Sequence, residues 1–377
     1  MGTREHRAAI STAILALALY AAFTMLLLGR FHFDPSVLVV AGDEFTNPAT
    51  APKNLHVAFH SSGYDGQFYY RLAIAPFSTR ESVAGIHFDY PVYRAQRILF
   101  PMLSYLVSGG RASAVPWSMI IINLLAAGTI GSLAALILEP RQASSAFTAT
   151  VIALYPGFLL TMSRDLTEIV EISLVLGGIA LILMTRNRLA VIVFALAVLG
   201  KELALIVPVA VFLHRATTRR LKVGDALLLA PAFVFVGWKM YLFHFWRLPL
   251  SLGTDGHFSL PFAGMWQCIK SVVAAPHGQT VLIIELLAII AFTMTITIAL
   301  RTSSAPAFLK IACVGYGLLF FSLGAEFWAE DWAFLRAATD YGVLGAIVAM
   351  QSPVRRVVIM LFLGGWIGLG VHCVMFR

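Results

Sequence analysis

The chain has 377 residues, of which 59% are hydrophobic and only 12% charged, with a formal net charge of +8. Apolar runs of spanning length recur along it, which excludes a soluble globular protein, since too much hydrocarbon would face water. Its Lys and Arg residues cluster between those runs, where they report topology and contact with anionic lipid, so no nucleic-acid partner is expected. Cys268, Cys313 and Cys373 are far apart and have neither zinc-site nor disulfide-framework spacing.

In chain order, Arg4 and Arg7 precede an apolar run that is too long for a signal-peptide core and lacks a small-x-small cleavage site. It predicts a first span at about Ala9 to Gly29 with a cytoplasmic N-terminus. Residues 30–116 are too long for a simple connection and too polar to cross, and predict an external loop with its own structure. Within it, Gln67 to Ala75 and Arg97 to Ser108 are amphipathic enough to lie in the interface as helices. The second is either a re-entrant helix or a short span.

If Arg97 to Ser108 does not cross, the remaining spans fall in residues 117–377. They are expected at about Trp117 to Leu138, Ala146 to Met162, Glu168 to Met184, Leu189 to Leu199, Leu203 to Leu213, Ala226 to Phe245, Thr280 to Leu300, Phe308 to Leu323, Ala337 to Met350 and Val357 to Phe376. The basic connections at Arg141, Arg186/Arg188, Arg215 to Lys222, Arg301/Lys310 and Arg355/Arg356 are then all cytoplasmic. This requires the run from Leu189 to Leu213 to break at Gly200-Lys201-Glu202 in an external turn. The expectation is an all-α, polytopic bundle of about 11 spans forming one integral membrane domain over residues 1–377.

The most polar and aromatic stretch runs from Ser61 to Pro101. Asp65 sits in Gly63-Tyr64-Asp65-Gly66-Gln67, ahead of Phe68, Tyr69, Tyr70 and Arg71, with Arg94, Gln96 and Arg97 downstream. A lone carboxylate among cations and hydrogen-bonding groups at a membrane surface has the make-up of a reaction centre. The same topology puts Ser163-Arg164-Asp165-Leu166-Thr167-Glu168, Lys201-Glu202, Trp246 to Gly278 and Ala325 to Arg336 on that face. Ionisable groups near membrane depth are costly unless paired or functional, and cations there suit a phosphate.

The aspartate-bearing first loop, Tyr93-Arg94-Ala95-Gln96-Arg97-Ile98-Leu99-Phe100-Pro101, the Ser163-Arg164 turn with Glu168 and the basic-acidic turn at Lys201-Glu202 resemble the polyprenyl-phosphate-dependent glycosyltransferases of the GT-C superfamily. The similarity runs from about Gly63 to Pro208, and is nearest to bacterial GT-C-like proteins of cell-surface glycopolymer formation. It implies a transferase in a bacterial inner membrane, with its site facing the periplasm or exterior. Such an enzyme moves a sugar with inversion from a polyprenyl-phosphate donor to a lipid-linked or cell-envelope glycan acceptor. Asp65 is then the catalytic base; Arg94, Arg97, Arg164 and Lys201 hold donor phosphate. Tyr64, Gln67, Tyr69, Tyr70, Glu168 and Glu202 orient sugar or acceptor. Asp65 is followed by Gly66 and Gln67 rather than completing an Asp-x-Asp pair, so no cofactor is expected and a divalent metal is not indicated. Lys201 stands where related chains often carry an arginine, and lacks the bidentate fork.

Plainer roles compete. Tyr-Asp-Gly is ordinary turn chemistry, Phe68 to Tyr70 suit an interfacial belt, and Arg94 and Arg97 can snorkel to headgroups. Gly253 to His257 reads as a loop turn, Arg164 with Asp165 or Glu168 as a structural ion pair, and Glu326, Glu330, Asp331 and Arg336 with Trp328 and Trp332 as either an acceptor-facing rim or, in preference, an interfacial anchor. The alternative functions are a lipid-linked oligosaccharide flippase, against which no internal repeat is found, and a glycan ligase or polymerase relying on Arg247 and Lys270.

Overall fold

The computed structural model describes residues 3–138, 145–249, 256–275, 279–329 and 331–376. Helix α1 (Thr3–Gly29) carries the first apolar run, after which His32 and Phe33 take left-handed conformations, with φ of 52° and 60°, and turn the chain. The first loop then folds on itself. Strand β1 (Ala41–Gly42) pairs in parallel with β2 (Val57–Ala58), and β3 (Ser82–Val83) pairs antiparallel with β4 (Ile86–His87). Three short helices complete it: α2 (Asp65–Ile74), α3 (Pro91–Ala95), where proline suits the first helical position, and α4 (Leu99–Ser108), ended by Gly109 in the left-handed region.

The rest of the chain is helical. In order come α5 (Val115–Ile137), α6 (Ser145–Ala153), α7 (Gly157–Met162), α8 (Glu168–Leu183), α9 (Asn187–Gly200), α10 (Ile206–Thr217) and α11 (Ala230–Trp246). They are followed by α12 (Ala263–Ala274), α13 (Thr280–Thr302), α14 (Ala307–Phe321), α15 (Ala325–Ala329), α16 (Asp331–Ala337), α17 (Thr339–Met350) and α18 (Arg355–Phe376). Among the described residues, five stretches are long and apolar enough to cross a membrane: His6–Gly29, Val115–Ile137, Val223–Trp246, Thr280–Thr302 and Arg355–Met375. The chain is an all-α membrane protein, and its other apolar helices are shorter.

The break expected at Gly200-Lys201-Glu202 is present: α9 ends at Gly200 and a single 3-10 turn, Glu202–Leu205, leads into α10. The continuous span expected from Ala146 to Met162 is not. The helix stops after Ala153 and restarts at Gly157, because Pro156 offers no backbone N–H and Tyr155 is turned inward. The expected loop from Trp246 to Gly278 contains α12. Of the Gly253 to His257 turn only Gly256 and His257 are described, and Arg141 and Glu330 also lie outside the described residues.

Close packing of small residues holds the bundle together, as suits helices that gain little from the hydrophobic effect in lipid. Helix α1 lies along α5, where a Cβ on Gly131 would stand 3.0 Å from the Thr12 carbonyl oxygen. The ring of Tyr155 fills the bend between α6 and α7, and a Cβ on Gly157 or on Gly342 would fall 2.4 Å from it. Its hydroxyl donates to the Leu335 carbonyl at 2.7 Å. Trp328 is no interfacial anchor: it is wholly buried and stacks on Phe321 and Phe334.

Candidate functional site

Backbone crossings in the first loop aim Asp65. Gly42 and Gly63 approach so closely that a Cβ on Gly42 would lie 2.2 Å from the Gly63 nitrogen, and Gly63 has φ 66°. Gln67 locks this crossing, its amide oxygen accepting from Gly42 N (3.2 Å) and Thr46 Oγ1 (3.0 Å), its Nε2 donating to the Ser62 carbonyl (2.8 Å). Asp65 therefore opens α2, where the helix dipole favours a carboxylate. Gly66 lets that first turn rest against the turn before α8, for a Cβ there would stand 2.4 Å from the Arg164 carbonyl oxygen. Asn123 of α5 steadies the same turn by donating to the Leu166 carbonyl at 3.1 Å.

A row of alternating charges runs through Asp65. Arg94 donates to Asp89 through Nε (2.8 Å) and Nη2 (2.5 Å) and to Asp65 Oδ1 through Nη1 (2.5 Å). On the other side Arg336 donates through Nη1 to Asp65 Oδ2 (2.7 Å), and its Nε lies 3.3 Å from Glu168 Oε1. Two further ion pairs stand beside this row, Arg97 Nη2 to Glu202 Oε1 at 3.2 Å and Lys201 Nζ to Asp340 Oδ2 at 2.9 Å. The guanidinium carbons of Arg164 and Arg336 each lie 5.2 Å from the centroid of the Tyr64 ring.

Burial works against the ionised forms of Asp65, Arg94 and Arg97, yet the pairing prevails. Burial alone would raise the Asp65 carboxyl, but Arg336 and Arg94 outweigh it and hold it well below the usual carboxylate range. Arg94 is pushed up in turn by Asp65 and Asp89, and Arg97 by Glu202, each against the effect of burial. Burial raises the Tyr64 phenol, which stays protonated as a hydrogen-bond donor.

Beside the row opens a cavity of about 300 Å³ with a mixed lining. Arg97, Lys201, Arg336, Glu168, Glu202 and Asp340 are its charged residues; Phe235, Phe258, Leu319, Leu323 and Phe327 are among its apolar ones. Glu168 Oε2 and Glu202 Oε2 are buried and accept no hydrogen bond from another residue, while the Asp340 carboxylate is held by Lys201 and by the Glu171 side chain. Unused buried acceptors are expensive, and hydroxyl donors on a ligand would satisfy them. Asp65 is not itself a lining residue; it meets the cavity through Arg336. Among the described residues, no group of three or more His, Cys, Asp or Glu side chains is arranged to hold a metal ion.

The expected site residues thus divide. Asp65, Arg94, Arg97, Lys201, Glu168, Glu202 and Tyr64 come together. Gln67 and Tyr70 do not line the cavity: both are fully buried, with Gln67 bonded to Gly42, Thr46 and Ser62 and Tyr70 to the Ala112 carbonyl at 3.1 Å. Tyr69 is buried edge-on against Phe100, so Phe68 to Tyr70 form no interfacial belt. Arg164 does not line the cavity, and Glu168 takes Arg336 as an ion-pair partner. Arg94 and Arg97 are held in ion pairs rather than reaching for headgroups.

Arg336, expected as an anchor, bonds Asp65 instead, and Asp340, which carried no expected role, pairs with Lys201. A carboxylate inside the apolar run Ala337 to Met350 is the signal that pointed to Asp340. Comparison of the chain with protein-family models, with curated proteins and with solved structures gives no match.

Proposed function

We propose that the protein is a GT-C-like glycosyltransferase that takes its sugar from a polyprenyl-phosphate donor and passes it, with inversion, to a lipid-linked or cell-envelope glycan. The observation that carries this reading is the cavity of mixed charged and apolar lining that Arg336 links to Asp65. An amphiphile with an anionic, hydroxyl-rich head and a hydrocarbon tail matches this mixed lining, and its sugar hydroxyls match the unused oxygens of Glu168 and Glu202. The volume, about 300 Å³, suits the head group, with the tail continuing into lipid.

In the transfer, the acceptor hydroxyl oxygen attacks the anomeric carbon and forms the new glycosidic bond. The bond from that carbon to the phosphate oxygen breaks, and its electron pair leaves on the lipid phosphate. The hydroxyl proton passes to Asp65. Arg97, Lys201 and the neighbouring cations offset the charge gathering on the phosphate, an effect strengthened by the dry setting. On this reading the shorter apolar helices complete a bundle of about 11 spans in a bacterial inner membrane, and residues 30–116 face the exterior. The gathering of ionised groups at one end of the bundle supports transfer over transport, which needs polar vestibules on both sides.

A lipid-linked sugar transfer assay tests the reading. Asp65→Asn loses about 10²- to 10⁴-fold in turnover, the usual worth of a general base. Undiminished transfer by that variant removes Asp65 from the chemistry.

A further inference from the structure

We propose that Arg336 is a ligand for the donor phosphate which the empty site keeps on Asp65, so that the incoming lipid phosphate and the Asp65 carboxylate compete for one guanidinium. This assignment rests on the function proposed above and adds to it a mode of regulation: the base is masked until the donor arrives.

Three observations carry it. Arg97, Lys201 and Arg336 on the cavity wall, and Arg94 beside it, each already hold a carboxylate, whereas Lys239 on the same wall donates to Gln96 Oε1, so a phosphate bound by a guanidinium or by Lys201 has to displace a carboxylate. Arg94 is a poor candidate for release, being tied twice to Asp89 and lying off the cavity wall. Arg336 both lines the cavity and bonds Asp65, and its second carboxylate contact, to Glu168, is the longer one at 3.3 Å. It can therefore turn to an anion in the cavity without leaving its place on α16.

The consequence for the base follows from charge. While both guanidiniums are in place, each oxygen of Asp65 accepts an N–H, and the carboxylate is a weak proton acceptor. Once Arg336 moves to phosphate, only Arg94 remains on Asp65, and the carboxylate gains basicity where the acceptor hydroxyl must lose its proton.

The test is binding of polyprenyl phosphate, without sugar, to the detergent-solubilised full chain. Asp65→Asn removes the competing charge, so it binds the lipid phosphate about tenfold tighter than the unaltered chain although its sugar transfer is impaired. Adding Arg336→Gln abolishes that gain. Equal or weaker binding by Asp65→Asn, with the unaltered chain binding normally, overturns the exchange and leaves the transferase reading standing. Binding by none of the chains overturns both.

Inorganic phosphate in the same titration separates the sources of the anion. Weaker binding than the lipid phosphate supports a lipid donor; equal binding identifies a free phosphate as the ligand and overturns the lipid assignment. If Asp65→Asn does not stay monodisperse, Arg336→Lys carries the test, losing about tenfold in lipid-phosphate affinity because it lacks the guanidinium fork. Unchanged affinity with an unchanged melting temperature overturns the proposal.

Discussion

Arg336 reaches Asp65 across 271 positions of sequence and donates to its Oδ2 at 2.7 Å. The first loop and the junction before α17 are thereby joined at the candidate base, and the stability of this contact can be probed apart from any reaction.

The Asp65 carboxyl is held below its ordinary value because Arg336 and Arg94 outweigh burial. A group depressed in the folded state contributes stability that is fully present above its unfolded value, about 3.9, and is lost as the pH falls through the folded one. Asp65→Asn therefore lowers the melting temperature in detergent by a constant amount between about pH 5 and 8, corresponding to about 1–3 kcal/mol, and the gap narrows only below about pH 4. A gap that widens on acidification contradicts this sign.

Gly66→Ala places a methyl group against two backbone oxygens, 2.4 Å from that of Arg164 and 2.7 Å from that of Val39. Backbone cannot yield as a flexible side chain can, so the variant is destabilised by about 1–3 kcal/mol. Because the adjacent residue is Asp65, transfer falls further than the loss of folded protein accounts for, as judged by activity per unit of monodisperse chain.

Arg71 is buried under the hairpin of the first loop and donates to the carbonyls of Arg80, Glu81 and Ile86, with its guanidinium carbon 3.9 Å from the centroid of the Phe88 ring. Burial brings its pKa down to about 10, still leaving it charged at neutral pH. Arg71→Lys strands at least one of those carbonyls and costs about 1–3 kcal/mol. Limited proteolysis should then cut first between Arg80 and His87.

Lys201→Met leaves the Asp340 carboxylate buried beside Glu171 without its ammonium partner, at a cost of about 3–5 kcal/mol. The double variant Lys201→Met/Asp340→Leu recovers much of that loss in melting temperature. It does not recover transfer, since the cavity still lacks the Lys201 ammonium.

Helix positions were legible in the sequence because apolar runs and charged breaks are local signals: the turn at Lys201-Glu202 and the two amphipathic helices of the first loop lie close to where expected, although the first begins at Asp65, two residues before the expected Gln67. Partnership was not legible. That Arg336 rather than Arg164 closes on Asp65, and that Asp340 meets Lys201, depends on helices far apart in sequence being packed together. The aromatic run Phe68 to Tyr70 was misread for a related reason, since an amphipathic pattern gives a buried face without telling whether lipid or protein covers it. The bend at Tyr155 needed one local rule, proline inside an apolar run, that the run's length obscured.

The Tyr155 wedge has a bearing on how this molecule tolerates change. Its ring is clasped by Gly157 and Gly342, and its hydroxyl grips the peptide immediately before Arg336. Lipid-facing positions can drift among hydrocarbon side chains at little cost, whereas a methyl group on either glycine would push on the strut that sets where the guanidinium stands. Heritable variation that alters the proposed transfer without touching a charged residue should be sought at those two glycines.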